Sequence, residues 1–288
     1  MAASPHRDAL PGVHVHVLSR WSLVVAVLGL PAPPSSIAQE RPEPRLVLSA
    51  FAGIAGGRHL WAINRQPLFV LGTEAAPRYD TLRLSRDIRP GPVLGFAGSF
   101  FQSPSLGITG EIIFLGLSTD DHCAVTYENP GADPFTRNAV LCADIDEHSV
   151  SPTTVGFYAG ATYRAFPRAF ASPYLRAEVG VATRSGSTVD TEGAYIDAGG
   201  AVRRRAVIVD APSATPVPSA GVALGVMIPV AAGHQARLEL RDQLIPVKRA
   251  TGVADALATA PTSTALVHSV SLTAGIDIVL ERKRGRRY

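Results

Sequence analysis

The sequence predicts an all-β fold, an antiparallel up-and-down eight-stranded transmembrane β-barrel. Three observations carry that prediction. Segments of about ten residues alternate apolar with polar side chains, and a period of two belongs to strands. The joints between successive segments are by turns a few residues and about twenty to thirty residues long, as in a barrel whose two ends meet different surroundings. An apolar N-terminal stretch followed by small residues reads as an export signal.

The elements follow in order. Arg20 precedes the apolar run from Trp21 to Leu30, which Pro31 breaks, and Ser36, Ile37 and Ala38 supply the small residues that a signal peptidase reads. Residues 1–38 are therefore expected to be a cleaved signal peptide and 39–288 the barrel domain. A run of about ten apolar residues is too short to anchor the chain across a bilayer. The first strand is expected from Leu46 to Ile54, with Leu46, Leu48, Ala50, Ala52 and Ile54 on one face. A long gap from Gly56 to Gly91 contains Trp61, Leu68 to Leu71 and the alternating stretch Tyr79 to Arg86, consistent with a hairpin raised above the membrane.

The second strand, Val93 to Phe101, turns through Gln102 to Ser105 into the third, Leu106 to Leu117, which sets Ile108, Ile112 and Phe114 against Thr109 and Glu111. The Ser and Pro of that joint favour a tight turn. A second long gap, Ser118 to Ser149, holds Cys123 and Cys142. The fourth strand runs from Thr153 to Arg164 and the fifth from Pro173 to Thr183, where Leu175, Ala177, Val179 and Val181 oppose Tyr174, Arg176, Glu178 and Gly180. The third gap, Arg184 to Pro218, includes Asp197 to Arg205, rich in glycine and charge, and the proline-bearing stretch Pro212 to Pro218, which reads as loop rather than core. The sixth strand, Ser219 to Val230, turns tightly at Ala231 to His234 into the seventh, Gln235 to Ile245. A fourth gap from Pro246 to Ala265 leads to the eighth strand, Leu266 to Leu280.

Composition limits the partners. The chain has 288 residues, 46% of them hydrophobic, and a net charge of only +3, which argues against nucleic acid. The basic tail Arg282, Lys283, Arg284, Arg286 and Arg287 reads as a solvated terminus. Mean hydropathy is +0.16, yet the sequence has no apolar run near the eighteen residues or so that a membrane helix needs, so a membrane would be crossed by strands. Alternation alone does not distinguish a lipid-facing barrel from a soluble one, because the two differ only in which face is polar. The export signal, the short joints confined to one end and the opposite charges spaced along the polar face favour the membrane form. In that form Glu111, Arg164, Arg176, Glu178, Arg237, Glu239, Arg241 and Asp277 face the lumen. An eight-stranded barrel is narrow enough for such side chains to fill it and pair across it.

On the strand pattern from Leu46 to Leu280 and its connectivity, the chain resembles the small, eight-stranded outer-membrane β-barrels of Gram-negative bacteria, loosely called porin-like. The resemblance implies a periplasmic N-terminus, periplasmic short turns and long extracellular loops. It also implies contact with outer-membrane lipid, and with lipopolysaccharide or extracellular partners through the loops. The chain departs from the family where Leu280, rather than an aromatic residue, closes the last strand. Aromatics are sparse at 7%, and Phe100, Phe101, Phe166, Phe170 and Tyr174 are the expected girdle at the periplasmic rim.

Cys123 and Cys142 share one exported segment, so they are expected to form a disulfide that removes roughly 3 kcal/mol of loop entropy from the unfolded chain. That bond would draw Asp120 and Asp121 towards Asp144, Asp146 and Glu147, a weak candidate for a calcium site and otherwise a solvated acidic surface. The basic run Arg203 to Arg205 is a candidate for contact with lipopolysaccharide phosphates. No motif calls for a cofactor or a catalytic group. His268 with Ser269 fails as a dyad because adjacent strand residues point to opposite faces. The expected role is therefore non-catalytic, structural or surface-interacting, with a narrow charge-filled lumen. The alternatives are a secreted soluble lipocalin-like barrel binding an apolar ligand, and an outer-membrane lipid-modifying enzyme.

Overall fold

A computed structural model describes residues 45–57, 59–70, 79–129, 138–147, 153–197, 199–210, 216–254 and 260–280. The expected signal segment 1–38, most of the proline-bearing stretch before Pro218 and the basic tail lie outside the described residues.

Eight strands close into a barrel: β1 (Arg45–Ala55), β4 (Gly91–Phe101), β5 (Leu106–Gly116), β7 (Thr153–Arg164), β8 (Ser172–Arg184), β11 (Val217–Ala231), β12 (His234–Ala250) and β13 (Thr262–Leu280). Their order around the barrel is β1-β13-β12-β11-β8-β7-β5-β4. Neighbours are antiparallel throughout. The first and last strands close the ring, with Leu46 opposite Leu280 on one side and opposite Phe100 on the other. Side-chain alternation follows the expected faces, and the joints after β4, β7 and β11 are the short ones. At the last of these, Gly233 takes φ +75°, the left-handed conformation that a two-residue turn between Ala231 and His234 needs.

The principal corrections concern the other end. The seventh strand does not stop at Ile245. β12 continues through Pro246 to Ala250 and pairs with β13 as far as Ala250 opposite Thr262. Pro246 is tolerated because β11 ceases to pair at Ala220 opposite Leu244, so that side of β12 is an edge with no ladder bond to lose. The first long gap forms the expected hairpin, and the second and third are largely folded rather than loops. Strands β2 (His59–Phe69), β3 (Tyr79–Ile88) and β6 (Thr119–Tyr127) form a three-stranded sheet in the order β2-β3-β6. Helix α1 (Asn138–Glu147) follows β6, and β9 (Thr191–Ile196) pairs with β10 (Val202–Ile208) as a hairpin. The sequence pointed to the β2–β3 hairpin but gave no sign of β6, α1 or β9–β10. Each of these is short and polar, and its apolar residues meet a partner only after the chain has folded.

Together these elements form a cap. Leu60, Trp61, Leu82, Leu84, Leu141, Ile145, Val189 and Val207 join Val93, Ile113, Leu115, Ile245, Val247 and Val267 from the barrel's upper end in one buried apolar cluster. Hydrogen bonds cross between connections: Trp61 Nε1 donates to the Thr188 carbonyl at 2.9 Å, Thr188 Oγ1 to the Lys248 carbonyl at 2.8 Å, and the Val253 amide to Gln66 Oε1 at 2.7 Å. Burial of the cluster orders four separate chain segments and covers the upper mouth of the barrel.

Candidate functional site

The barrel wall has inverted polarity. Outward side chains are apolar and exposed, Phe96 at 63%, Val179 at 66%, Leu238 at 50% and Ile276 at 60%. Inward side chains include Arg176, Arg241, Glu239 and Asp277, all at 2% or less. In water this arrangement would desolvate charges while hydrating aliphatic surface, so it is favourable only in an apolar medium. The chain is an eight-stranded membrane β-barrel. A barrel of this polarity, closed because its first strand pairs with its last, is the outer-membrane architecture. The same burial removes the soluble lipocalin-like alternative, whose ligand would need an apolar interior.

The rim aromatics divide between the faces. Phe100 is outward, and Phe166 and Phe170 are exposed in the β7–β8 turn, but Phe101 and Tyr174 are buried in the lumen, which corrects their expected place in a lipid-facing girdle. Strand alternation sends Phe101 the opposite way from Phe100, and Tyr163 takes the outward position beside the turn.

Five of the eight expected lumen charges form a central network. Glu111 on β5 receives Arg176 Nη1 from β8 at 2.5 Å, and it pairs with Arg241 from β12 through both carboxylate oxygens, Arg241 Nη2 lying 2.8 Å away. Glu239 accepts from Arg241 Nη2 at 2.6 Å and from Tyr174, and lies 3.1 Å from Arg176 Nη2. Glu178 stands 3.5 Å from Arg241. The network thus joins non-adjacent strands across the lumen, which makes it a plug. Glycines make room for its large members: a Cβ at Gly225 would fall 2.5 Å from the Tyr174 ring. Arg164, Arg237 and Asp277 lie towards the short-turn end, outside the hydrogen-bonded plug, although Arg237 shares the Phe51 ring with Arg241. There Arg164 packs 3.7 Å above the Phe101 ring, Arg237 4.9 Å from the Phe51 ring, and Arg237 Nε 3.7 Å from Asp277. Tyr174 was not expected in the network, although its position two residues before Arg176 on the same strand face was the available signal.

In the cap, Cys123 and Cys142 are disulfide-bonded with their Cα atoms 4.9 Å apart, fastening α1 to β6. The acidic residues around them do not converge. Asp121 is buried against Arg86, Asp120 pairs with Arg89, Asp144 accepts from the Ala194 amide at 2.7 Å, and Asp146 accepts from the Cys123 amide at 2.7 Å. Glu147 is exposed. Strand alternation and helix rotation turn these carboxylates to different sides, and among the described residues no group of three or more His, Cys, Asp or Glu is arranged to hold a metal ion. A buried cation missed in the sequence, Arg86, is the cap's central tie. It pairs with Asp121 through both Nε and Nη2 and donates to the Asp190 carbonyl at 2.7 Å and to Thr191 Oγ1 at 3.2 Å, joining β3, β6 and the start of β9.

The basic run lies on β10. Arg203 bonds Asp197 at 2.9 Å and Arg204 pairs with Glu192, so two of its three charges have acidic partners within the hairpin. The Arg203 side chain and the amides of Ala201 and Gly199 hold the Asp197 carboxyl below the usual carboxylate range. His268 faces outward and bonds Asp242 at 2.8 Å, whereas Ser269 and Ser271 face the lumen.

No protein-family model and no curated protein sequence matches the chain. Among solved structures, similar folds include the Neisserial surface protein A, at 12% identity over 81% of this chain and 96% of that one, with a TM-score of 0.39. The outer membrane protein OprG from Pseudomonas aeruginosa is 10% identical over 84% of this chain and 98% of that one, with a TM-score of 0.47. Ail of Yersinia pestis, in complex with a heparin analogue, is 8% identical over 83% and 99%, with a TM-score of 0.32. At such values the likeness is one of fold, and it assigns no activity.

Proposed function

We propose that the protein is a non-catalytic outer-membrane barrel that does not conduct, and that its working surface is the folded cap displayed outside the cell. The observation that carries this reading is closure at two levels. Glu111, Arg176, Glu239 and Arg241 bridge the lumen, and above them the apolar cluster of the cap shuts the mouth. On this reading the short turns and the N-terminus of the barrel are periplasmic. The exposed apolar and basic side chains of the β9–β10 hairpin, Ile196, Val202 and Arg203 among them, are then available to extracellular partners or to lipopolysaccharide. Partial neutralisation of the arginines by Asp197 and Glu192 favours a mixed apolar and polar contact over a purely anionic one.

Two measurements on the full-length protein test the proposal. In planar bilayers the barrel should show no steady conductance, and a cysteine placed at Val202 should react with a membrane-impermeant reagent on intact cells. A stable open pore would overturn the closed reading, and protection of position 202 on intact cells would overturn the placement of the cap.

A further inference from the structure

Below the plug, between it and the short-turn end, the lumen contains side chains that its own protein groups do not satisfy. Arg164, at the end of β7, and Arg237, on β12, are buried, yet Nε and Nη2 of each have no hydrogen-bond partner among the described residues. Asp277 on β13 is 0% exposed, and among the described residues neither of its carboxylate oxygens has a hydrogen-bond partner. Its nearest cation among the described residues, Arg237 Nε, is 3.7 Å away, beyond hydrogen-bond reach. Gln235 Oε1 and Ser172 Oγ are buried and unpaired as well. Both guanidiniums lie against aromatic rings, Phe101 and Phe51, which restrict where their free N–H groups point. Unmade bonds of this kind are costly for buried groups, and a ligand that made them would repay that cost.

The donor and acceptor pattern is specific. Arg164 and Arg237 face one carboxylate, Asp277, and Arg45 adds positive charge near Arg164, so an anion is favoured, and the planar N–H forks suit oxygens of an oxyanion. Asp277, however, offers only acceptors and would repel a fully deprotonated anion. A ligand must therefore accept from Arg164 and Arg237 while donating to Asp277. We propose that the lower lumen is a binding site for a protonated oxyanion, inorganic phosphate being the simplest, held by Arg164 and Arg237 and recognised through its P–OH by Asp277. Ser172 begins β8 directly after the β7–β8 turn, so the site lies beside the short-turn rim, the end from which the proposal has phosphate enter. The plug then forms its ceiling, so phosphate enters and leaves by one mouth and does not cross the membrane.

The test uses the full chain folded in dodecyl maltoside, which contains no phosphate, with calorimetric titration at neutral pH and matched ionic strength. Phosphate should bind saturably. Sulfate, which has no proton to donate, and dimethyl phosphate, a diester without P–OH and a stand-in for phospholipid headgroups, should each bind at least about tenfold more weakly, because each leaves Asp277 unpaired. Asp277→Asn, whose amide can donate, should erase the preference for phosphate over sulfate. Arg164→Gln should lose the phosphate response while keeping the heat-dependent mobility of a folded barrel. Absence of saturable phosphate binding would overturn the proposal, as would equal affinity for sulfate in the wild type or an unchanged response in Arg164→Gln.

Discussion

Replacing Glu239 by Gln removes one negative charge from the centre of the plug while preserving volume. Glu239 faces Arg176 Nη2 at 3.1 Å and accepts from Arg241 Nη2 at 2.6 Å and Nε at 3.1 Å, with Tyr174 as a further donor. The glutamine oxygen can still accept from one or two of these groups, so the main loss is charge. Arg176 and Arg241 are then left with Glu111 and the more distant Glu178. Removing one partner from a buried ionic group typically costs about 3–5 kcal/mol, and the retained hydrogen bonds place the expected loss near 3. Equilibrium urea unfolding in lipid vesicles, followed by the mobility shift between boiled and unboiled samples, measures it. The neighbouring substitution Leu238→Arg faces lipid, should cost about 2–4 kcal/mol and should also slow insertion, which Glu239→Gln should not. In a double-mutant cycle, Glu239→Gln with Arg176→Gln should recover about 1–3 kcal/mol of the summed losses. A Glu239→Gln protein within about 1 kcal/mol of wild type, with no coupling to Arg176, would refute the view that the plug is a dry, mutually compensating network.

Further outcomes follow from the cap. Cys142→Ser should release α1 from β6 and cost the cap about 2–4 kcal/mol, seen as faster proteolysis around 128–152 with the barrel's mobility shift intact; unreduced, denatured wild type should show no free thiol. Arg86→Leu should strand the buried Asp121 carboxylate and destabilise the cap by about 3–5 kcal/mol, reported by the fluorescence of Trp61, over whose ring Arg86 lies at 5.5 Å. Asp197 has its carboxyl pulled down by Arg203 and by the Ala201 and Gly199 amides. Its stabilisation is therefore full above the unfolded value of about 4 and lost as pH falls through the lower folded value. Amide exchange at 199–201 should accelerate over that acid range in wild type, while in Asp197→Asn it should show no such step.

The cap and the barrel differ in how far they could be read from sequence. Strand β7 falls at Thr153–Arg164, where the alternation places it, because in a two-faced wall each residue's medium is fixed by its parity alone. The same parity put Arg176, Glu178, Arg237, Glu239 and Arg241 inside before any contact was known. Helix α1 gave no such signal: four of its ten residues are buried, Asn138 and Cys142 among them, against the preceding strand β6 and against β9, which follows two barrel strands later. Strands β9 and β10 gave no signal for the same reason, since they pair with each other, α1 packs on β9, and Val207 and Ile208 of β10 find their apolar partners only in the folded cap.

What the sequence by itself determined was the eight-stranded wall, its closure, its sidedness and the inventory of charges in its lumen, all consequences of a period of two acting against a uniform medium. Only the tertiary structure decided which arginine meets which acid, that Arg164, Arg237 and Asp277 stand outside the hydrogen-bonded plug, and that the long connections join in one apolar core over the barrel mouth. Those outcomes depend on strand stagger around a closed ring and on contacts between segments a hundred or more residues apart, such as Arg241 with Glu111 and Trp61 with Thr188. Local patterning carries no record of either.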